Sequence, residues 1–185
     1  NVNAIGNNIV GDAANEPSMA ISSADPKKIA IGWRQFDSIS SNFRQAGVAH
    51  SINGGQTWIS TGPLDPGRFR SDPVLASDGF GNFYYSSLTV NQVDPNIFEV
   101  YVFKSTDGGV TWPASTYAYG GDKQWMIADP RTSGVGAGHI YQYWSSHASC
   151  CGPENFNRSI NGGSTFEFPI NLSNPPMIWG TLDVN

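Results

Sequence analysis

The chain has 185 residues, and glycine or proline interrupts nearly every window, with no segment holding apolar residues at a 3.6-residue spacing. Its net charge of −5 argues against a nucleic-acid partner, which favours a basic face. No apolar run reaches the roughly 20 residues of a membrane-spanning helix, no signal-peptide pattern is read in these 185 residues, and the start at Asn1 rather than Met is read as a processed or excised segment.

In chain order, a first strand is expected at Pro17–Ile21, a turn at Ala24-Asp25-Pro26 and a second strand at Ile29–Trp33. A third strand, Phe43–Ser51, enters the phrase Ser51-Ile-Asn-Gly-Gly-Gln-Thr-Trp58, and a fourth leaves it. The series then returns. Strands at Pro73–Ala76, Phe83–Ser87 and Phe98–Ser105 lead to Ser105-Thr-Asp-Gly-Gly-Val-Thr-Trp112. Strands at Trp125–Ala128, Ile140–Trp144 and Asn155–Ser159 lead to Ser159-Ile-Asn-Gly-Gly-Ser-Thr-Phe166. Met177–Asp183 resembles the first strand of another unit.

Each phrase begins 54 residues after the one before, which marks a repeat architecture with one supersecondary unit per period. Within it, Asn or Asp followed by Gly-Gly supplies the positive-φ positions of a hairpin turn. Asn53, Asp107 and Asn161 can each bond their own turn backbone, as Asx turns do.

The three phrases resemble the Asp-box, or bacterial neuraminidase repeat, of sialidase-like β-propellers, and the resemblance covers nearly the whole chain. It implies an all-β fold of four-stranded antiparallel blades: about 15–65, 70–120 and 122–174, with the start of a fourth at about 176–185. Such rings close with roughly four to eight blades, so the chain is read as part of a larger propeller. Its implied partner is the rest of a longer chain or another copy of itself, and possibly a glycan. The resemblance further implies a secreted or cell-surface module that binds glycan or protein without catalysis. The alternative is an exo-sialidase-like glycoside hydrolase whose site is completed by missing blades or a second chain. No cofactor, metal, nucleic acid or membrane span is expected.

The phrase residues are assigned structural roles: Ser51, Asn53, Gly55 and Trp58; Ser105, Asp107, Gly109 and Trp112; Ser159, Asn161, Gly163 and Phe166. The three aromatics have the size to fill the space between neighbouring blades.

Candidate chemistry lies at the opposite end of the strands. Just before the three first strands stand Asn15-Glu16, Arg70-Ser71-Asp72 and Asp122-Lys123-Gln124. Glu16, Asp72 and Asp122, with Arg34, are the candidates for catalysis, since paired carboxylates near an axis can act as acid and base in glycoside cleavage. The competing reading is that they order the strand starts. Arg34, Asp37, Arg70, Lys123, His147 and Glu154 are the candidates for ligand binding. Trp33, Trp125, Trp144 and Trp179 can stack on a sugar or pack the core. Sialidases carry their first arginine in a Phe/Tyr-Arg-Ile/Leu-Pro phrase. Here Trp33-Arg34-Gln35 and Phe69-Arg70-Ser71 lack the apolar-Pro pair, so no catalytic residue carries over.

Cys150 and Cys151 are adjacent, with Cα atoms about 3.8 Å apart, below the usual disulfide range of about 4.4–6.8 Å. They are read either as a vicinal disulfide that locks one loop or as two free thiols.

Overall fold

The computed structural model describes Asn3, Ile5, Asn7, Ile9, residues 13–172 and residues 180–184. Among these residues no helix is long and apolar enough to cross a membrane, and all regular structure is β. The first sheet runs in the order β1 (Ala13–Ile21), β2 (Ile29–Phe36), β3 (Gln45–Ser51) and β4 (Ile59–Ser60). The second repeats this order with β5 (Ser71–Ser77), β6 (Phe83–Val90), β7 (Phe98–Ser105) and β8 (Thr116–Tyr117). The third has β9 (Asp122–Ala128), β10 (Ile140–Ser145) and β11 (Phe156–Ser159). All pairings between these strands are antiparallel.

The third sheet therefore has three strands where four were expected. Pro169 interrupts the returning segment and cannot donate to a ladder. What remains is an isolated Phe156↔Ile170 bridge, with Glu167 N donating to Arg158 O and Ile170 N to Phe156 O. Of the first strand expected at Met177–Asp183, residues 177–179 lie outside those described and residues 180–183 form no strand.

Side-chain alternation explains why the sheets stack. In β5–β7, Leu75, Phe83, Tyr85 and Phe103 point toward the first sheet and join Ala20, Ala30, Ala46 and Val48 in one buried cluster. Val74, Tyr84, Val100 and Val102 point the other way and meet Met126, Ala128, Ile140 and Phe166 in a second. The middle sheet is thus covered on both faces, which is why Phe83–Thr89 is buried throughout.

The first strands of the three sheets lie side by side, as propeller blades place their inner strands around an axis. Leu75 N donates to Ser18 Oγ at 2.9 Å, and Gln124 Nε2 donates to the Asp72 carbonyl. The two-residue strands β4 and β8 form the outer margins.

The three repeated turns have one construction. Gly54 and Gly55, Gly108 and Gly109, and Gly162 and Gly163 all have positive φ. Ser51, Ser105 and Ser159 each accept the second glycine's N–H at 2.9 Å and donate to Asn53, Asp107 and Asn161 respectively. Those three side chains in turn accept the amide of Thr57, Thr111 and Thr165.

The second and third turns lean on the sheet before them. A side chain at Gly109 would meet Ala30 and His50 of the first sheet, and Lys104 of the second sheet donates to Gly162 O at 3.0 Å. Trp112 packs edge-to-face on Tyr85, and Phe166 is buried. Trp58 differs from the expected filler role: its indole is 42% exposed, because no sheet precedes the first among the described residues.

Candidate functional site

The inner strands start earlier than the sequence suggests. Residues read as lying before the strands sit inside them, at a bulge repeated in all three sheets. Glu16-Pro17 stand opposite Trp33 alone, Asp72-Pro73 opposite Ser87, and Lys123-Gln124 opposite Trp144. Two residues facing one is the definition of a β-bulge, a device that bends a strand and re-aims a side chain. Proline is tolerated there because the ladder is already interrupted.

The first bulge residue is left-handed in every case: φ is 51° at Glu16, 47° at Asp72 and 53° at Lys123. For a residue with a Cβ, this region costs about 1–3 kcal/mol. Glycine would remove that cost at all three positions, yet charged side chains occupy them.

Those side chains converge. Arg34, projecting from β2, places Nη2 2.6 Å from Glu16 Oε1 and Nη1 3.9 Å from Asp72 Oδ1, while its Nε donates to Asn15 Oδ1 at 2.8 Å. Lys123 Nζ lies 3.2 Å from Asp72 Oδ2 and 4.0 Å from Glu16 Oε1. Ser71 donates to Asp72 Oδ1 at 2.6 Å. Two cations and two carboxylates from three successive sheets form one closed, formally neutral cluster.

The cluster borders a cavity of about 710 Å³. Pro17 and Pro73 give it apolar walls, Trp125 contributes an indole 42% exposed, and Gly180 and Thr181 close one side. Gln124 also lines it. Its Nε2 is engaged by the Asp72 carbonyl, while its Oε1 is buried without a hydrogen-bond partner.

Several expectations change against this geometry. Glu16, Asp72, Arg34 and Lys123 are brought together. Asp122 is not part of the group: the position equivalent to Glu16 and Asp72 is Lys123, because the third bulge begins one residue later than the acidic residue suggests. Arg70 is fully buried, paired to Asp65 at 2.6 Å and placed over the rings of Tyr101 and Phe103, so it cannot meet a ligand. Burial lowers its pKa, against the pull of the Asp65 carboxylate.

Asp37 accepts from Gln45 Nε2 at 2.9 Å and lies away from the cavity. His147 is exposed and Glu154 half-buried, and neither lines the cavity. Both belong to the loop after β10, where Cys150 and Cys151 are joined as a vicinal disulfide with Cα atoms 3.8 Å apart. That loop is tied down through Cys150 N to Gly120 O and through the Ala148 carbonyl, which accepts from Phe98 N. Of the tryptophans, Trp144 is buried, Trp33 half-buried, and Trp179 lies outside the described residues. Among the described residues no cluster of His, Cys, Asp and Glu is arranged to hold a metal ion.

Gln124 is read just before the third of the first strands, and Pro17 and Pro73 at strand starts, but none of the three is among the site candidates. The signal available was an acidic-Pro dipeptide, Glu16-Pro17 and Asp72-Pro73, at the head of two successive repeats.

No family model and no curated protein matches the sequence. Solved structures do match. A protein of unknown function from Dyadobacter fermentans DSM 18053 is similar at a TM-score of 0.56 and 17% identity, over 84% of this chain and 50% of that one. The α-L-arabinofuranosidase Arb93A from Fusarium graminearum, solved with an iminosugar inhibitor, is similar at a TM-score of 0.57 and 14% identity, over 85% of this chain and 48% of the enzyme. A Hadza microbial sialidase, Hz136, aligns over 88% of this chain and 46% of its own at 13% identity, but its TM-score of 0.37 is too low to carry an argument. The chain thus spans about half the length of the structures it matches, and the first two likenesses concern the fold alone.

Proposed function

We propose that this chain is an Asp-box module of the sialidase-like superfamily, a partial propeller that binds glycan or protein at the mouth of its axis without cleaving it. The observation that carries the reading is the trio of strained bulges, which hold Glu16, Asp72 and Lys123 at left-handed φ beside one cavity. Backbone strain kept where glycine would relieve it points from an observed outlier to a function for the side chains. A cavity with apolar walls and a few convergent polar groups is the ordinary form of a binding site.

Glycoside cleavage is the second reading. It is favoured by the presence of two carboxylates at the axis and by the likeness to an arabinofuranosidase fold. Against it, each carboxylate is already engaged by Arg34 or Lys123. Catalysis needs charged groups preorganised around one reacting point, and three sheets supply them from only part of a ring.

Ring completion belongs to the same proposal. Met19, Ile21 and Trp58 lie on the outer face of the first sheet, at 55%, 50% and 42% exposure. Their counterparts in the second sheet, Leu75, Ser77 and Trp112, face the sheet before them. A further blade, from a longer chain or a second copy, would cover that face. The vicinal disulfide suits an oxidising, extracellular setting.

The test is a fluorogenic glycosidase panel run beside a glycan array on the purified chain. Glycan retention without turnover is expected. Turnover that vanishes in Asp72→Asn while folding is intact would overturn the module reading in favour of the enzyme.

A further inference from the structure

The four-charge cluster also limits what the cavity can take. We infer that its ligand is an uncharged, hydroxyl-rich saccharide unit that stacks on Trp125 and donates to Gln124, rather than an acidic sugar. This rests on the glycan-binding reading above and narrows it.

Donors and acceptors around the cavity favour a neutral ligand. An acidic sugar needs a cation free to meet its carboxylate, usually a guanidinium with open N–H groups. Arg34, however, faces Glu16 at 2.6 Å with Nη2, Asn15 at 2.8 Å with Nε and Asp72 with Nη1. Lys123 stands between Asp72 and Glu16. Arg70 is buried and paired to Asp65. An incoming carboxylate would compete with Glu16 and Asp72 for Arg34 and Lys123, and either acid that it displaced would lose its counter-charge, an exchange with little net gain.

The unmet needs at the cavity are of the opposite kind. Gln124 is 2% exposed, and its Oε1 accepts nothing. Asp72 Oδ2 has Lys123 beside it as an ion pair but receives no hydrogen bond. Both atoms want donors, and a buried acceptor left unsatisfied is a liability that a ligand hydroxyl removes. A sugar ring supplies several O–H donors together with an apolar C–H face. The Trp125 indole, 42% exposed among the prolines, matches that face. The volume of about 710 Å³ is in the range of small-molecule sites, about 300–1,000 Å³.

The experiment is calorimetric titration of the 185-residue chain with three probes of similar length. These are a neutral xylo-oligosaccharide, a cationic chitosan oligosaccharide and an anionic sialyl-oligosaccharide. The neutral probe should bind, with an affinity unchanged between low and moderate salt because no net charge is neutralised. Trp125→Ala should weaken it by about tenfold, and Trp125→Phe should restore part of the loss. Trp125 is exposed, so neither variant threatens the fold. Preference for the sialyl probe, with affinity falling as salt rises, would overturn this inference and leave the glycan-module reading intact. Preference for the chitosan probe would overturn it in the same way. Neutral binding indifferent to Trp125→Ala would put the ligand elsewhere and also overturn it. Failure of all three probes would defeat both readings together.

Discussion

Strain at the three bulges can be measured apart from the charges those residues carry. Replacing Glu16, Asp72 or Lys123 by alanine removes the side-chain contacts but keeps a Cβ at a φ of 51°, 47° or 53°. Replacing it by glycine removes the same contacts and the Cβ together. The difference between the two variants therefore isolates the backbone. At an ordinary strand position glycine is less stable than alanine by about 0.5–1 kcal/mol, from the greater freedom of the unfolded chain. At left-handed φ a Cβ adds a penalty of about 1–2 kcal/mol. The two opposing amounts leave glycine ahead of alanine by up to about 1.5 kcal/mol at each bulge, a reversal of the usual sign. Urea unfolding of the six variants, at a common m-value, reads this as a shift in midpoint. Ser18, two residues on in the same strand and without positive φ, is the control and should show the ordinary order. Alanine equal to or better than glycine at all three bulges would refute stored strain at these positions, and with it a functional role for the side chains held there.

Trp112→Ala should destabilise the protein by about 3 kcal/mol, since the ring packs on Tyr85 and donates to Gly109 O, whereas Trp58→Ala should lose less than about 1 kcal/mol. Equal losses in chemical denaturation would contradict the difference in their surroundings. Arg70→Met, which keeps volume between Tyr101 and Phe103 while Asp65 stays partly hydrated, should leave glycan binding unchanged, and a binding defect in a folded variant would contradict its burial. Burial raises the Asp107 carboxyl's pKa, but hydrogen bonds from Thr111, Ser105 and Val110 together outweigh it and hold the group at about 2. Below its unfolded value of about 3.9, this stabilisation should fade as pH drops toward 2, because only the unfolded chain first takes up the proton. Asp107→Asn should flatten that part of the acid stability curve, matching the Asn53 and Asn161 turns, and an unchanged slope would refute the assignment.

The fold was legible because its signal is local and repeated. Ser105 through Trp112 encodes one turn by residue type alone, and three copies at a fixed interval report the stacking of sheets. The Pro169 interruption was written there too, yet it lies where strand and loop compositions look alike. The site was harder. A bulge shifts register by one residue, and one residue separates Asp122 from Lys123. Composition pointed to a third acid, while the backbone presents a base. Arg70 misled for a related reason: it stands two residues before the second bulge and just ahead of β5, but its side chain turns inward onto Tyr101 and Phe103. The sequence placed Gln124 beside Asp122 and Lys123 but not its role, since that lies in an acceptor left unmet by its neighbours.

Repetition also explains why the cluster is neutral. Three sheets present the same bulge to one axis, so three like side chains there would crowd like charges into a shared cavity. Two carboxylates alone would repel, and the third repeat answers with Lys123, while Arg34 from β2 reaches across to both acids. A carboxylate in place of Lys123 would leave three acids facing one guanidinium. That arrangement favours a cation in the cavity, whereas the present one favours neither sign. Lys123→Glu is accordingly the variant that changes ligand class: it should admit the cationic chitosan oligosaccharide and raise the salt sensitivity of binding. If the variant folds and its probe preference stays that of the parent, the cluster does not set the chemistry of the cavity, and the uncharged ligand must be explained by shape alone.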